Sequence, residues 1–481
     1  MNFEKDVYAE RGMITTPLHP PLDQDRAALA LGMTFCALLV ELSINVYQGA
    51  YHPQALFWLT IAIVSSFSAV SFRLGHPAEQ LLRRVFPAVL AVAILIPACI
   101  LLIRTHNDVP ISLSVLVLSA LGFLQFADLG PRRIPFLVVT VIGFCIVSAV
   151  TIISPQRSKD PQIDVFLFQQ SAAEALRHGQ NPYTTRVPNM YSGNDSAVFE
   201  NPHRFGAGAI AYGPGVVDKD GWLTYSFPYP PLSLLMVMPA YLLGGDCRFA
   251  AIVAMGLSVL LMATARPGRW GALMALLFLV DPKGFFVIDL SWTEPLLVFT
   301  FSLAMFCACR WRKGLPWALG LMFATKQYTV IMLPAVFLLM EGPNPLRQLR
   351  DLVMKAGLVV AAITLPFFAW NPREFIRNVV QWQFVQPFRT DALSYLVWLY
   401  KHNGGHWPPI WTPFLIVIPA ILLAIWRCPR SPAGFAAAIA FICLTFFAFN
   451  KQAFCNYYYF VIAAACWSVA ASWPQKDEGS A

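Results

Sequence analysis

A few ionisable residues stand where an oily chain should not carry them. Asp160 and Asp164 follow an apolar run and open the longest polar stretch of the chain, Pro155 to Pro231. Lys326, with Gln327, interrupts an otherwise continuous apolar stretch, and Glu41 and Asp281 lie in or beside others. A charge at the centre of a bilayer costs about 2.5–3.5 kcal/mol on insertion scales, so each of these must be compensated. A carboxylate positioned beside a hydroxyl can take its proton. Charges inside a membrane can also line a transport path. Asp164 has a plainer reading as the residue that caps a helix, and Glu41 as a residue near a helix end, facing other helices.

The elements that position these residues follow from composition. The chain is 57% hydrophobic and 12% charged, with a net charge of +8 and a mean hydropathy of +0.57. A soluble domain carries roughly twice that share of charge. Repeated apolar runs of spanning length point to a polytopic membrane protein. The spans must be helices, because in lipid the backbone has to satisfy its own hydrogen bonds and the runs are too long for barrel strands. Nucleic acid is excluded as a partner, since Lys and Arg sit mostly in short loops between apolar runs, where they set topology. The ten Cys lie mostly in or beside apolar segments and none falls in the long polar stretch, so neither a disulfide framework nor a zinc site is expected. No metal and no cofactor is expected elsewhere. Residues 1–26 are polar and mixed in charge and do not read as a cleavable signal peptide.

Apolar spans are predicted at 27–47, 55–72, 85–103, 111–126 and 134–153. Beyond the polar stretch they fall at 232–243, 249–265, 270–280, 294–309, 315–325, 328–340, 352–370, 414–426, 434–449 and 454–471. Arg73, Arg83, Arg84, Arg132, Arg133, Arg310, Arg312, Lys313, Arg347, Arg350, Arg427 and Arg430 mark cytoplasmic loops. The loops at 48–52, 155–231, 371–409 and 451–452 then face outward. Four spans between 232 and 309 would end on the wrong side for Arg310. One of them is therefore half-length or re-entrant, and 270–286, interrupted by Asp281-Pro282-Lys283-Gly284, is the candidate. The segments flanking Lys326 form a hairpin with that lysine near its outer tip. About fourteen crossings are expected, with both termini cytoplasmic. The organisation is a cytoplasmic segment 1–26, a four-span extension 27–130, a core 131–473 and a tail 474–481.

Inside the long stretch, helical spacing begins at Asp164. Val165, Phe168, Ala172 and Leu176 share one face, while Gln169, Gln170, Glu174 and Arg177 face away. His178-Gly179 ends the helix and Asn181-Pro182 starts a turn. The pattern suits an amphipathic helix lying on a membrane surface. Phe227-Pro228-Tyr229-Pro230-Pro231 then opens the next span, with prolines in its first turn.

The order of these pieces carries a resemblance. Asp164 follows a span, Phe168 comes four residues on, and then come Gly179, Asn181-Pro182-Tyr183 and Tyr229-Pro230-Pro231-Leu232. This resembles the polyprenyl-phosphate-sugar glycosyltransferases of the GT-C fold class, and most of all glycosyltransferase family 87, the membrane mannosyltransferase-like proteins. The stretch from Gly320 to Lys326-Gln327 matches that family's Gly-rich span ending in Lys. Leu290-Ser291-Trp292-Thr293-Glu294 stands where the family usually has a Gly-Gln loop, and departs from it. The likeness covers about 134–473 and leaves out the first four spans.

The resemblance implies an all-α, polytopic, GT-C-like bundle in the cell membrane. It implies transfer of mannose or another hexose from a polyprenyl-phosphate sugar donor to a hydroxyl of a glycan or glycolipid acceptor, on the outer face. Asp164 matches the position of the general base. Cations near the leaving phosphate would stabilise its growing charge, and the outer-face candidates are Lys326, then Arg389, with Arg204 and Lys451. Tyr183, Tyr229, Glu294 and Gln327 are candidate substrate contacts. Each has a simpler reading: Arg204 as a solvated loop residue, Arg389 as the partner of Asp391, Lys451 as a snorkelling lysine, Glu294 as a helix-start residue. Two other functions stay open. A transporter or flippase would use Glu41, Asp281 and Lys326 along a path. A lipid-linked polysaccharide polymerase or ligase would move the chemistry to Arg389 and His402 or His406.

Overall fold

The computed structural model describes residues 26–73, 75–105, 133–154, 163–189, 215–266, 268–341 and 343–472, with Ala120 and Leu124. The predicted fourth span (111–126), Asp160, Arg204 and both terminal segments therefore lie outside the described residues, apart from Arg26, Ala120 and Leu124.

The described chain is all-helical. Its one sheet pairs two short strands antiparallel, β1 (Val187–Pro188) and β2 (Trp222–Leu223). The first helices are α1 (Arg26–Asn45), α2 (Pro53–Ser71), α3 (His76–Thr105), α4 (Arg133–Ile153) and α5 (Asp164–Arg177). After the long loop come α6 (Pro231–Gly244), α7 (Arg248–Thr264), α8 (Arg269–Leu279), α9 (Gly284–Asp289), α10 (Glu294–Arg310) and α11 (Leu315–Thr325). A 3-10 stretch, Gln327–Leu339, leads to α12 (Pro345–Trp370). Two short helices, α13 (Pro372–Ile376) and α14 (Trp382–Val385), are joined by a π-helical turn. The chain ends with α15 (Tyr395–His402), α16 (Thr412–Arg427), α17 (Pro432–Ala448) and α18 (Cys455–Ser472).

Among the described residues, five helices are long and apolar enough to cross a membrane: α1, α2, α3, α4 and α12. The pair α6 and α7 counts as a sixth if it is one span, bent by 116°. The count falls short of the expected fourteen because the predicted fourth span lies outside the described residues and several of the remaining apolar helices are shorter than a span, among them α8, α16, α17 and the 3-10 stretch. All 17 residues of α17 are buried, and α18 is buried throughout except at Tyr457. A helix that is apolar all round belongs in a core, where protein rather than lipid covers it. The expected short segment at 270–286 is the 11-residue α8, a break at Asp281-Pro282, and the six-residue α9. The sharp bend itself falls elsewhere, between α6 and α7.

The described helices of the extension, α1 to α3, pack into the core of the chain. α1 packs against α2, α3 and α18, and its apolar face belongs to the same core cluster as α7, α10, α17 and α18. Small residues let the hairpin close: a Cβ on Gly32 would stand 2.5 Å from the Cβ of Ala69, so the two helices meet almost backbone to backbone. Glu41 is buried within this packing.

The helix after Asp164 forms as its pattern predicts, running Asp164–Arg177 with Gly179 at φ 69° turning the chain. Its setting differs from a free surface helix. Gln169, expected to face away, is buried, and its amide donates to the backbone carbonyl and hydroxyl of Ser291. Gln170 donates to the Gly245 carbonyl at 2.6 Å, and Glu174 accepts from the Tyr241 hydroxyl. Protein contacts both faces, so the polar row serves to dock the helix.

One side chain stitches three loops together. Asn378 accepts from the Ser226 amide through its oxygen and donates to the carbonyls of Tyr183 at 3.0 Å and Glu374 at 2.8 Å. It is fully buried. Replacing it leaves buried backbone groups without partners, each worth about 1–3 kcal/mol. Asn378→Ala should lower unfolding stability by about 2–4 kcal/mol, measured by thermal or denaturant unfolding in detergent, whereas Asn403→Ala on an exposed turn should change it little.

Candidate functional site

Six separated segments meet at a cavity of about 450 Å³: 48–50, 163–165, the residues around Tyr229, 326–331, and the facing loops 379–391 and 450–457. Asp164, Tyr229, Lys326, Gln327, Arg389 and Lys451 all lie on its wall. Glu294 and Tyr183 stand behind the wall, and His402 and His406 are exposed and away from it.

Asp164 is the first residue of α5, with Ile163 in the N-cap position and extended backbone there. The neighbours Ile163, Val165 and Phe166 are buried with Leu290 against Tyr229, Phe286 and Trp292. That apolar collar fixes the helix start, and Gln169 pins the next turn to Ser291. Ser291 itself takes φ +54°, a conformation that favours glycine. The Gln169 amide, donating to the Ser291 carbonyl and hydroxyl, holds the residue there.

The two Pro-Tyr elements form one clamp. The Asn181 side chain accepts from the Tyr183 amide at 2.9 Å and starts a 3-10 turn with Pro182 in first position. The Tyr183 ring packs among Phe227, Phe367 and Phe375, and its hydroxyl donates to the Tyr229 carbonyl at 2.9 Å. Burial pushes the Tyr183 phenol well above its usual pKa, as suits a hydroxyl that only donates. Gln327 donates to the carbonyls of Pro228 at 2.5 Å and Val379 at 3.1 Å. Tyr183 and Gln327 thus position Tyr229, whose ring faces the cavity.

The three cations on the wall have different surroundings. Lys326 is the single extended residue between α11 and the 3-10 stretch, at φ −150° and ψ 143°. The segments fold back on each other there, since Arg312 before α11 donates to the Leu339 carbonyl at the far end at 2.9 Å. The Lys326 ammonium donates to Glu294 and to the Thr293 hydroxyl at 2.7 Å. The rings of Tyr229, Tyr328 and Tyr457 surround it at 5.4, 5.5 and 5.3 Å. Arg389 makes a two-pronged pair with Asp391, at 2.8 Å from Nε and 2.7 Å from Nη2.

Lys451 differs from both. Its ammonium donates to the carbonyls of Phe384 at 3.2 Å and Gln386 at 2.6 Å, and no carboxylate lies within salt-bridge distance among the described residues. Burial lowers its pKa to about 8. Two carbonyls leave the third N–H of an ammonium for another acceptor. Lys326, first among the cations in the sequence reading, is already neutralised by Glu294, whereas Lys451 has no carboxylate partner among the described residues. Main-chain bonds from Arg389 N to Lys451 O at 3.2 Å and from Leu393 N to Ala453 O at 2.8 Å hold the two loops in register.

Two features escaped sequence reasoning. Gln48 on the α1–α2 turn lines the cavity. Arg248 is buried between Asp246 and Asp289, at 2.7 and 3.4 Å, and lies 5.3 Å over the Phe166 ring, bracing α5 from behind. The only cue to either was its position beside a segment break. Among the described residues no group of three or more His, Cys, Asp or Glu is placed to hold a metal.

No family model and no curated protein matches the chain. Among solved structures it is similar to the crystal structure of ArnT from Cupriavidus metallidurans bound to undecaprenyl phosphate, at 18% identity and a TM-score of 0.45, over 71% of this chain and 60% of that one. The chain therefore spans about three fifths of the length of that protein.

Losing one member of a buried ion pair leaves an uncompensated charge, at a cost of about 3–5 kcal/mol, while replacing both members by apolar groups costs far less. Glu294→Leu alone should destabilise the protein by about that amount. The double substitution Lys326→Met with Glu294→Leu should recover most of the loss, measured by unfolding of the single and double variants.

Proposed function

We propose that the protein transfers a hexose from a polyprenyl-phosphate donor to the hydroxyl of a glycan or glycolipid acceptor on the outer face of a membrane. The observation that carries this reading is the convergence of Asp164 and the Lys326, Arg389 and Lys451 side chains on one cavity wall. The motif resemblance to the GT-C glycosyltransferases adds to it, as does the topology from loop charges. The loops at 48–52, 155–231, 371–409 and 451–452, all expected on the outer face, supply many of the residues that meet there, and the hairpin tip at Lys326, also expected outside, supplies others.

The cavity also suits an amphipathic ligand. Its inner wall is charged and aromatic, while Val330, Phe384, Ile410 and Phe414 line it and are exposed. An isoprenoid chain would lie along that apolar side, with the phosphate at Lys451 and Arg389 and the sugar towards Asp164 and Tyr229. In the reaction the acceptor oxygen bonds to the anomeric carbon and gives its proton to the Asp164 carboxylate. The bond from that carbon to the phosphate oxygen breaks, and the phosphate leaves with one more negative charge. Lys451, with Arg389, offsets that charge as it develops, and fixed cations that need no reorganisation do so most effectively. Lys326, paired with Glu294, orients the tyrosines around the sugar.

Two measurements test this. Purified protein is supplied with radiolabelled polyprenyl-phosphate mannose or glucose and a membrane extract. Wild type should transfer label, and Asp164→Asn should lower the rate by about 10²–10⁴, the usual contribution of a general base. Full transfer by the variant removes Asp164 from the chemistry. No transfer by wild type, with flux of a polar solute instead, would favour a transporter. The second measurement is pH dependence. With its pKa lowered to about 8, Lys451 loses its proton as pH rises through that value, and donor binding weakens. Donor KM should climb above about pH 8 in wild type, up to about tenfold per pH unit, and stay flatter in Lys451→Arg, whose guanidinium remains charged.

A further inference from the structure

The turn joining α1 and α2 is built in a costly way. Tyr47 (φ 50°, ψ 38°) and Gln48 (φ 60°, ψ 26°) both occupy the left-handed region, which L residues other than Gly, Asn and Asp seldom adopt. Such residues persist where their surroundings over-determine them, and they cluster at functional sites. Here the surroundings are specific. Gly49, at φ 77°, packs so closely on Cys455 that a Cβ would stand 2.8 Å from the cysteine Cβ. Ala50 bridges Ala392, and the Tyr51 amide donates to the Asp391 carbonyl at 2.9 Å. The turn is thereby fastened to the loop that carries Arg389.

The result places Gln48 on the cavity wall, exposed to the cavity side. The buried ammonium of Lys283, from the Asp281-Pro282-Lys283-Gly284 break, donates to its side-chain oxygen. An ammonium has donors only, so it can meet only the oxygen of a carboxamide. That contact fixes which way the amide points and leaves its two N–H groups directed away from Lys283. Glycine would make the same turn with less strain, so the side chain at 48 has a use beyond shaping the backbone.

We propose that Gln48 is a substrate-contacting residue, held by Lys283 so that its amide N–H groups donate to a sugar or phosphate oxygen of the bound lipid-linked sugar. The N-terminal hairpin then completes the site, although the resemblance to known transferases does not extend over it. This inference rests on the transfer reaction proposed above.

The test uses the full-length protein in detergent or liposomes with radiolabelled polyprenyl-phosphate sugar. Gln48→Gly removes the side chain and relaxes the backbone. Gln48→Glu keeps an oxygen for Lys283 and removes the donors. Gln48→Glu should unfold at or above the wild-type temperature. Gln48→Gly sets relief of backbone strain against the lost acceptor for Lys283 and should still fold. Both should lower kcat/KM for the donor by about tenfold or more, the worth of one hydrogen bond to a charged or polar group. An effect in KM alone would point to ground-state binding, and one in kcat to a contact that strengthens in the transition state; either supports the proposal. Wild-type kcat/KM in both variants overturns it while leaving the transfer reaction standing. A wild type that transfers no lipid-linked sugar overturns both.

Discussion

The buried cations around the cavity are settled by protein atoms, since lipid cannot do it. The structure meets that constraint in three ways around one cavity. Lys326 is neutralised by Glu294 and ringed by tyrosines, Arg389 shares a fork with Asp391, and Lys451 leans on two carbonyl oxygens. Carbonyl dipoles stabilise an ammonium less than a carboxylate does, which is why burial can lower the Lys451 pKa to about 8. The cavity therefore has a direction. Glu294, which neutralises Lys326, lies behind the wall, while Lys451 on the wall has no carboxylate partner among the described residues. A phosphate arriving there would replace a missing partner and would not have to displace an existing one.

The rest of the fold serves to hold that wall still. The buried helices α17 and α18 form the post around which the bundle packs, and the loop between them carries Lys451. The Pro228–Tyr229 turn is held from two sides, by the Tyr183 hydroxyl and the Gln327 amide. α5 is held by Gln169 on Ser291 and by Arg248 under Phe166. A site whose groups must act within fractions of an ångström needs this kind of support from the residues behind it. Tyr183 and Gln327, candidate substrate contacts, also brace the Pro228–Tyr229 turn.

The sequence made the local features plain. Helical spacing from Asp164 and the glycine at 179 delimit α5, the break at Lys326-Gln327 marks a hairpin, and Asn181-Pro182 announces a turn. What stayed hidden is what each element packs against. Periodicity assigned Gln169 and Glu174 to an outward face, yet both meet other segments, because a polar face can be docked as well as solvated. The first spans read as an appendage because no motif links them to the core. The link runs through Gly49 packed on Cys455, the Tyr51 amide on the Asp391 carbonyl and the Lys283 ammonium on Gln48, contacts that no residue-type pattern announces. The order of preference among the cations was likewise out of reach, since it depends on which acidic side chain the fold brings to each: Glu294, 32 positions away, for Lys326, and none among the described residues for Lys451.

The most direct measurement is a structure of the protein with an unreacted polyprenyl-phosphate sugar, or its bound product phosphate, determined by electron cryomicroscopy. The account predicts the phosphate within hydrogen-bond distance of the Lys451 ammonium and beside Arg389. It also predicts the anomeric carbon turned towards Asp164 and the isoprenoid chain along Phe384 and Phe414. A phosphate seated elsewhere, with the cavity empty or Asp164 remote from the sugar, would contradict it.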